Sequence, residues 1–131
     1  MSFRPATPVD TALLFAWRRQ AEHASWYQGK RIRAKDHCEW LQARLDNPLV
    51  KVLVWQEDGP VGMVRIDSNG ELAFHCADNQ ACVRMLQAAR EYAADYGGRL
   101  KAAVDSEDVR SWEMLARAGF VEYPARFLVY K

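Results

Sequence analysis

Cysteine is scarce in this sequence, and none of it is arranged as a metal-binding or disulfide motif. Three cysteines occur in 131 residues, Cys38, Cys76 and Cys82, and no two of them have C-x-x-C spacing. An odd number without paired spacing argues against a disulfide framework and against a zinc site. We therefore expect free thiols in a reducing compartment, and a cytoplasmic location.

The sequence also lacks a long hydrophobic run. No stretch approaches the roughly 18 apolar residues needed to span a bilayer. The first 20 residues are interrupted by the charged side chains of Arg4, Asp10, Arg18 and Arg19. We expect neither a membrane span nor a secretory signal.

Neither sign of charge is in excess. Lys plus Arg number 18 and Asp plus Glu number 17, so the net charge is +1. Nucleic-acid-binding proteins usually carry a clear basic excess, and this balance argues against nucleic acid as a partner. The exception is local, because a short segment without any acid carries Lys30, Arg31, Arg33 and Lys35.

The remaining composition is that of an ordinary globular protein. Hydrophobic residues make up 50% and charged residues 27%. A chain of this length can bury about two thirds of its surface, which is enough for a core without disulfides. We expect a single domain over residues 1–131.

Residue patterns predict an α/β fold with elements in the order β-α-α-β-β-β-α-β-α-β. The predicted strands cover 2–4, 50–55, 61–67, 71–76, 100–104 and 127–130. Helices are predicted from 7–10 onward and over 36–45, 78–96 and 108–118. Three hairpin-linked strands followed by β-α-β-α-β imply a mixed central sheet with helices on both faces. Ligands of such sheets bind at the carboxyl ends of strands, here near Phe74, His75 and Cys76.

The predicted helices show apolar faces and end signals. The first should bury a stripe of Leu13, Trp17 and Ala21, and the second a face of Cys38, Leu41 and Leu45. A glycine and an aromatic residue should end the last helix, Gly119 as its C′ residue and Phe120 packing back.

Several motifs occur in a specific order along the chain. Residues 100–120 read LKAAVDSEDVRSWEMLARAGF, GPVGMVRID surrounds Gly62, and WRR at 17–19 is followed by HCEWL at 37–41. In this order and spacing the chain resembles the GCN5-related N-acetyltransferase (GNAT) superfamily, over nearly its whole length. The resemblance implies transfer of an acetyl group from acetyl-CoA, as co-substrate, to an amine.

The same resemblance implies where the site residues lie. The candidates for acid–base catalysis are His75, Glu71 (through water), and the hydroxyl groups of Ser111 and Tyr123. The co-substrate should meet the end of the fourth strand, the start of the next helix and the start of the last helix. Those positions are Phe74, His75, Cys76, Asn79, Gln80, Ala81, Cys82, Val83, Arg84, Asp108 and Ser111.

One segment departs from the GNAT pattern. Members place a glycine-containing loop, Gln/Arg-x-x-Gly-x-Gly/Ala, where backbone N–H groups cradle the pyrophosphate at a helix N-terminus. The corresponding residues here, 77–82, read ADNQAC and contain no glycine. Asp78 is a good helix cap, and its carboxylate would repel a phosphate. The sequence therefore predicts a degenerate pyrophosphate loop.

The segment between the first two helices borders the acceptor pocket in GNAT domains. Here it combines aromatic and cationic side chains, which suits an amine on an acidic small molecule, such as a nucleotide amino sugar, or on a protein. A solvated charged loop is an equal interpretation. The candidate acceptor-binding residues are Arg18, Trp26, Tyr27, Lys30, Arg31 and Arg65.

A second function stays open at this point. A GNAT-fold module that had lost coenzyme A binding would act by binding a partner protein. That alternative predicts a cleft filled by large side chains such as Phe74 or Trp112. Members of the superfamily often pair through their last strand, which makes a homodimer a further prediction.

Overall fold

The structure, a computed structural model, describes residues 1–23 and 32–122. Its strands are β1 (Ser2–Pro5), β2 (Lys51–Glu57), β3 (Gly59–Ile66) and β4 (Leu72–Cys76). Its α-helices are α1 (Thr11–Glu22), α2 (Ala34–Leu45), α3 (Asn79–Ala89) and α4 (Val109–Arg117). A 3-10 turn, Pro8–Asp10, leads into α1. Five predicted features lie outside the described residues: the strand at 127–130, Tyr123, Trp26-Tyr27, Lys30 and Arg31.

The four strands form one antiparallel sheet in the order β1-β2-β3-β4. Alternation along β2 sends Val52 and Val54 into a cluster with α1 and α2. Leu53 and Trp55 enter the other cluster, with α3 and α4. Helices therefore cover both faces of the sheet, as predicted. No helix in the described part of the chain is long and apolar enough to cross a membrane.

The predicted strand at 100–104 is wrong as a strand. It is reduced to one parallel bridge between Glu71 and Lys101. The Leu72 N–H donates to the Lys101 carbonyl at 2.8 Å. Among the described residues, no backbone hydrogen bond joins residues 102–104 to β4. Ala102 and Val104 pack against the α3–α4 core instead. In the described part of the chain, no strand pairs with the outer edge of β4 from residue 73 to residue 76, and we call this stretch the open edge.

The predicted helix over 78–96 is divided. α3 ends at Ala89, and a 3-10 helix, Arg90–Tyr96, continues to Gly97, which has a φ of +71°. The tighter segment places the rings of Tyr92 and Tyr96 5.8 and 5.5 Å from Lys51 Nζ. The glycine stop was correctly predicted, and the change of helix type was not.

The predicted helix faces are partly corrected. In α1, Trp17 is buried, but Leu14 and not Leu13 lies beside it. In α2 the buried residues are His37 and Leu41, whereas Cys38 is exposed. Leu41 and Leu45 thus face the core as predicted, and His37 takes the place of Cys38, with its ring between those of Phe15 and Trp40.

The end of α4 matches the prediction. Gly119 has a φ of +96°, and the Phe120 N–H donates to the Leu115 carbonyl at 3.0 Å. Phe120 packs against the core cluster of α3 and α4. At the other end, the Asp108 carboxylate accepts the Ser111 N–H at 3.2 Å and so caps the helix.

Candidate active site

A cavity of about 210 Å³ lies on the α1–α2 side of the sheet, beside β3 and β4. Its described walls are mostly apolar, with the aromatic rings of Trp17 and Trp40 among them. The polar side chains that line it are Arg18, His37, Arg65 and His75. A largely apolar cavity with a few polar groups is typical of a small-molecule site.

His75 lines this cavity from near the end of β4. Its ring stacks on Trp17 with the centroids 5.5 Å apart. Its Nε2 atom is buried and has no hydrogen-bond partner among the described residues. Burial, and to a lesser extent the charge of Arg110, lower the pKa of His75. The imidazole is therefore neutral at pH 7 and can accept a proton.

Arg110 joins the start of α4 to the end of β4. Its Nη2 atom donates to the Cys76 carbonyl at 2.6 Å, and its Nε atom donates to Asn79 Oδ1 at 2.7 Å. Both acceptors are neutral, so the guanidinium places a positive charge at the mouth of the open edge. The predicted residues Asn79, Asp108 and Ser111 thus lie around one point.

The residues that follow β4 form a capped helix start, as predicted. The Asp78 carboxylate accepts the Ala81 N–H at 2.9 Å. Asn79 and Gln80 are exposed, but the side chains of Cys76, Ala81 and Cys82 are buried in the core, and Val83 packs against it. Only backbone atoms of these core positions could meet a ligand.

The two core thiols influence each other. A hydrogen bond with Cys82 lowers the pKa of the Cys76 thiol. The same bond, together with burial, raises the pKa of Cys82. Cys76 Sγ also donates to the Val61 carbonyl at 3.3 Å. Both sulfur atoms belong to the packing at the end of β4, on the α3–α4 side of the sheet.

Two predicted candidates occupy other places. Arg84 is held by Glu57, with Nη2 2.7 Å from Oε1 and Nε 3.0 Å from Oε2, so its charge is already matched by a carboxylate. Glu71 precedes β4 at its opposite end. His75 lies four residue steps further along the strand, a distance of about 13 Å. The structure does not bring Glu71 to the cavity.

The two arginines of the cavity also face carboxylates. Arg18 Nε lies 3.7 Å from Glu22 Oε1. Arg65 Nε lies 3.1 Å from Asp67 Oδ1, and its guanidinium lies over the Trp40 ring. The cavity wall is therefore close to neutral overall.

Sequence reasoning missed Glu22 and His37, which are only 5% and 4% exposed. Glu22 accepts the Ile32 N–H at 3.2 Å, while its Oε2 and His37 Nδ1 have no partner among the described residues. Burial, and then the charge of Arg18, lower the pKa of His37, and Glu22 opposes them. The available signals were spacings of four residues, from Arg18 to Glu22 and from His37 to Leu41.

The two buried histidines make the fold sensitive to mild acid. Below the ordinary histidine pKa of about 6.5, the unfolded chain binds protons that the folded chain, with lowered pKa values, does not bind. The free energy of unfolding should therefore fall as the pH drops from 7.5 to 5.5. In His37→Gln this fall should be smaller, because one of the two histidines no longer contributes to it. Urea unfolding at both pH values measures it. The control is Gln20→Ala, at an exposed position of α1 without a titratable group, which should keep the wild-type pH dependence.

The fold is shared with acetyltransferases of known structure. An aminoglycoside acetyltransferase in complex with coenzyme A and kanamycin has a TM-score of 0.72 at 16% identity, covering 93% of this chain and 84% of that chain. A point variant of spermidine N-acetyltransferase from Vibrio cholerae has a TM-score of 0.73 at 12% identity, covering 94% and 82%.

A third structure carries the name of the superfamily. An acetyltransferase of the GNAT family from Streptococcus pneumoniae has a TM-score of 0.67 at 20% identity, covering 92% of this chain and 83% of that chain. No protein-family model matches the sequence, and no curated protein matches it. The predicted resemblance to GNAT domains is confirmed at the level of the fold.

Proposed function

We propose that the protein is an N-acetyltransferase that moves an acetyl group from acetyl-CoA to an amine. The observation that carries the proposal is the neutral His75, with its unpartnered Nε2 atom, beside the open edge of β4. The fold shared with acetyltransferases supports it.

In the proposed reaction His75 accepts a proton from the ammonium group of the acceptor in the cavity. The free amine forms a bond to the acetyl carbon, the carbon–sulfur bond of the thioester breaks, and the thiolate leaves with a proton. The backbone groups of Phe74 and the Cys76 N–H, which point away from β3, are placed to bind the co-substrate and stabilise the oxyanion. Ser111 and Tyr123 stay the predicted proton donors to the thiolate, because the superfamily's usual tyrosine position holds the buried Leu115.

The described residues fit the two ends of acetyl-CoA unequally. The open edge suits an extended, amide-containing arm, which can pair with strand backbone. The helix start suits a pyrophosphate less well, since Asp78 already accepts one of the N–H groups and carries a negative charge. Arg110 supplies a compensating positive charge. Its guanidinium donates to neutral acceptors, Asn79 Oδ1 and the Cys76 carbonyl, which a phosphate could replace.

Calorimetric titration with acetyl-CoA, repeated with desulfo-CoA, tests the proposal. We expect micromolar to sub-millimolar binding of both. In Asp78→Ser the hydroxyl keeps the helix cap and removes the charge, so binding should tighten about tenfold. Asp46→Ser, at the exposed end of α2, is the control and should bind as the wild type does. If neither the wild type nor Asp78→Ser binds at millimolar concentration, the acetyltransferase proposal fails.

The finer predictions are affected to different degrees. The non-catalytic alternative places Trp112 in a filled cleft, but Trp112 is 49% exposed on α4, and no observation favours that alternative. The prediction of an acidic acceptor depended partly on the charges of Arg18 and Arg65. Each of these arginines already faces a carboxylate of the protein. The homodimer and the cytoplasmic location stay predictions, the latter consistent with three free cysteines.

A further inference from the structure

His37 lines the same cavity as His75 and carries a buried polar atom without a hydrogen-bond partner among the described residues. It is 4% exposed and lies between Phe15 and Trp40, with ring centroids 5.5 and 5.4 Å away. Its Nδ1 atom has no hydrogen-bond partner among the described residues. A buried polar atom without a hydrogen-bond partner lowers the stability of the folded protein. A ligand that forms a hydrogen bond with this atom removes that cost.

The size of the cavity limits what can enter it. A volume of about 210 Å³ corresponds to about seven water molecules at about 30 Å³ each. A ligand body of about seven to ten non-hydrogen atoms fits such a space. The Trp17 and Trp40 rings in the wall favour a flat, apolar body that can stack or make edge contacts.

The state of His37 limits the polar group of the ligand. Burial and the neighbouring Arg18 keep the imidazole neutral, against the opposing charge of Glu22. In a neutral imidazole the Nδ1 atom is either a donor or an acceptor. A hydroxyl group can both donate and accept, so it can bond Nδ1 in either tautomer.

We infer that the acceptor is a compact, flat, apolar amine that carries a hydroxyl group at the end away from the amine. The hydroxyl bonds His37 Nδ1, and the amine is held at His75. His37 is thus a specificity-determining residue, and the acidic acceptor predicted from the sequence is replaced by an apolar one. This inference rests on the proposed function only where it calls the bound amine an acetyl acceptor. The binding of the amine in the cavity does not depend on that function.

Two probes that differ by one hydroxyl group test it. Tyramine and phenethylamine are titrated into the protein in the absence of acetyl-CoA, by calorimetry or tryptophan fluorescence. Tyramine should bind about five- to tenfold more tightly than phenethylamine, since a good hydrogen bond at a buried site is worth about that ratio. In His37→Phe the two probes should bind equally. In His23→Phe, at an exposed histidine, the preference should be that of the wild type.

A variant that is partly unfolded still gives the correct ratio of the two affinities, because both probes are measured on the same folded fraction. If His37→Phe does not fold at all, His37→Leu replaces it. Equal binding of the probes to the wild type, binding of neither, or a preference that survives loss of the imidazole overturns the inference. A hydroxyl preference without any acetyl transfer would uphold the pocket and remove the proposed function instead.

Discussion

Replacement of His75 by glutamine should lower the rate of acetyl transfer at pH 7 by a factor of about 10² to 10⁴, the usual contribution of a positioned general base. Glutamine fills a similar volume but cannot take up a proton, so the cavity and its stacking on Trp17 are largely kept. The affinity for acetyl-CoA should change little, because the His75 side chain points into the acceptor cavity.

The pH profile separates a base from a packing residue. Wild-type activity should be lost towards acid as His75 is protonated, with a midpoint below 6.5 because its pKa is lowered. In His75→Gln that acid limb should disappear. The loss of rate should also shrink as the pH rises, because more of the acceptor amine is then already deprotonated.

The charged groups around His75 allow a second check on the same profile. Arg110 lowers the pKa of His75, whereas Arg18 and Arg65, which line the same cavity, are each matched by a carboxylate. Arg110→Gln should therefore move the acid limb to higher pH. The control is His23→Gln, which should have wild-type kinetics. Unchanged activity of His75→Gln at pH 7 would exclude His75 as the base.

The sequence predicted the elements that depend on local signals. Asp78 and Asp108 cap α3 and α4, and Gly97 and Gly119 end helical segments with positive φ values. Each of these depends on one residue and its near neighbours, which a sequence displays directly. The position of His75 at the end of β4 followed from the strand pattern and the topology, whereas its role in catalysis stays a prediction.

What failed depends on contacts between distant segments. Residues 100–104 have the composition of a strand, but pairing requires a partner edge, and Ala102 and Val104 pack on the core instead. Arg84 was assigned to a phosphate because the sequence does not show that Glu57, 27 residues earlier, lies beside it. His37 was missed because the sequence does not show which of two adjacent residues faces the core: Cys38 lies three residues before the buried Leu41 and His37 four, and both spacings fit one helix face.

Replacement of Gly62 should have the largest effect on stability, because it lies where β3 passes closest to β4 and α3. A Cβ atom there would lie 2.8 Å from Met85 Sδ, 2.9 Å from the His75 carbonyl oxygen and 3.1 Å from Cys76 Cβ. The flexible end of Met85 can move, but the His75 carbonyl belongs to the backbone of β4. Gly62→Ala should lower the free energy of unfolding by about 1–3 kcal/mol, and Gly62→Val by more.

Gly97→Ala is the matched control, because it separates steric contact from backbone conformation. Gly97 has a φ of +71° with nothing within 4 Å of the added Cβ, so it should lose only about 1 kcal/mol, from conformation alone. Urea unfolding of both variants gives the comparison. Gly62→Ala should also slow acetyl transfer, since the displaced carbonyl is that of His75, whereas Gly97→Ala should not. A Gly62→Ala protein as stable as the wild type would mean that β3 and β4 can separate freely, and the open edge would then not be a fixed feature of the site.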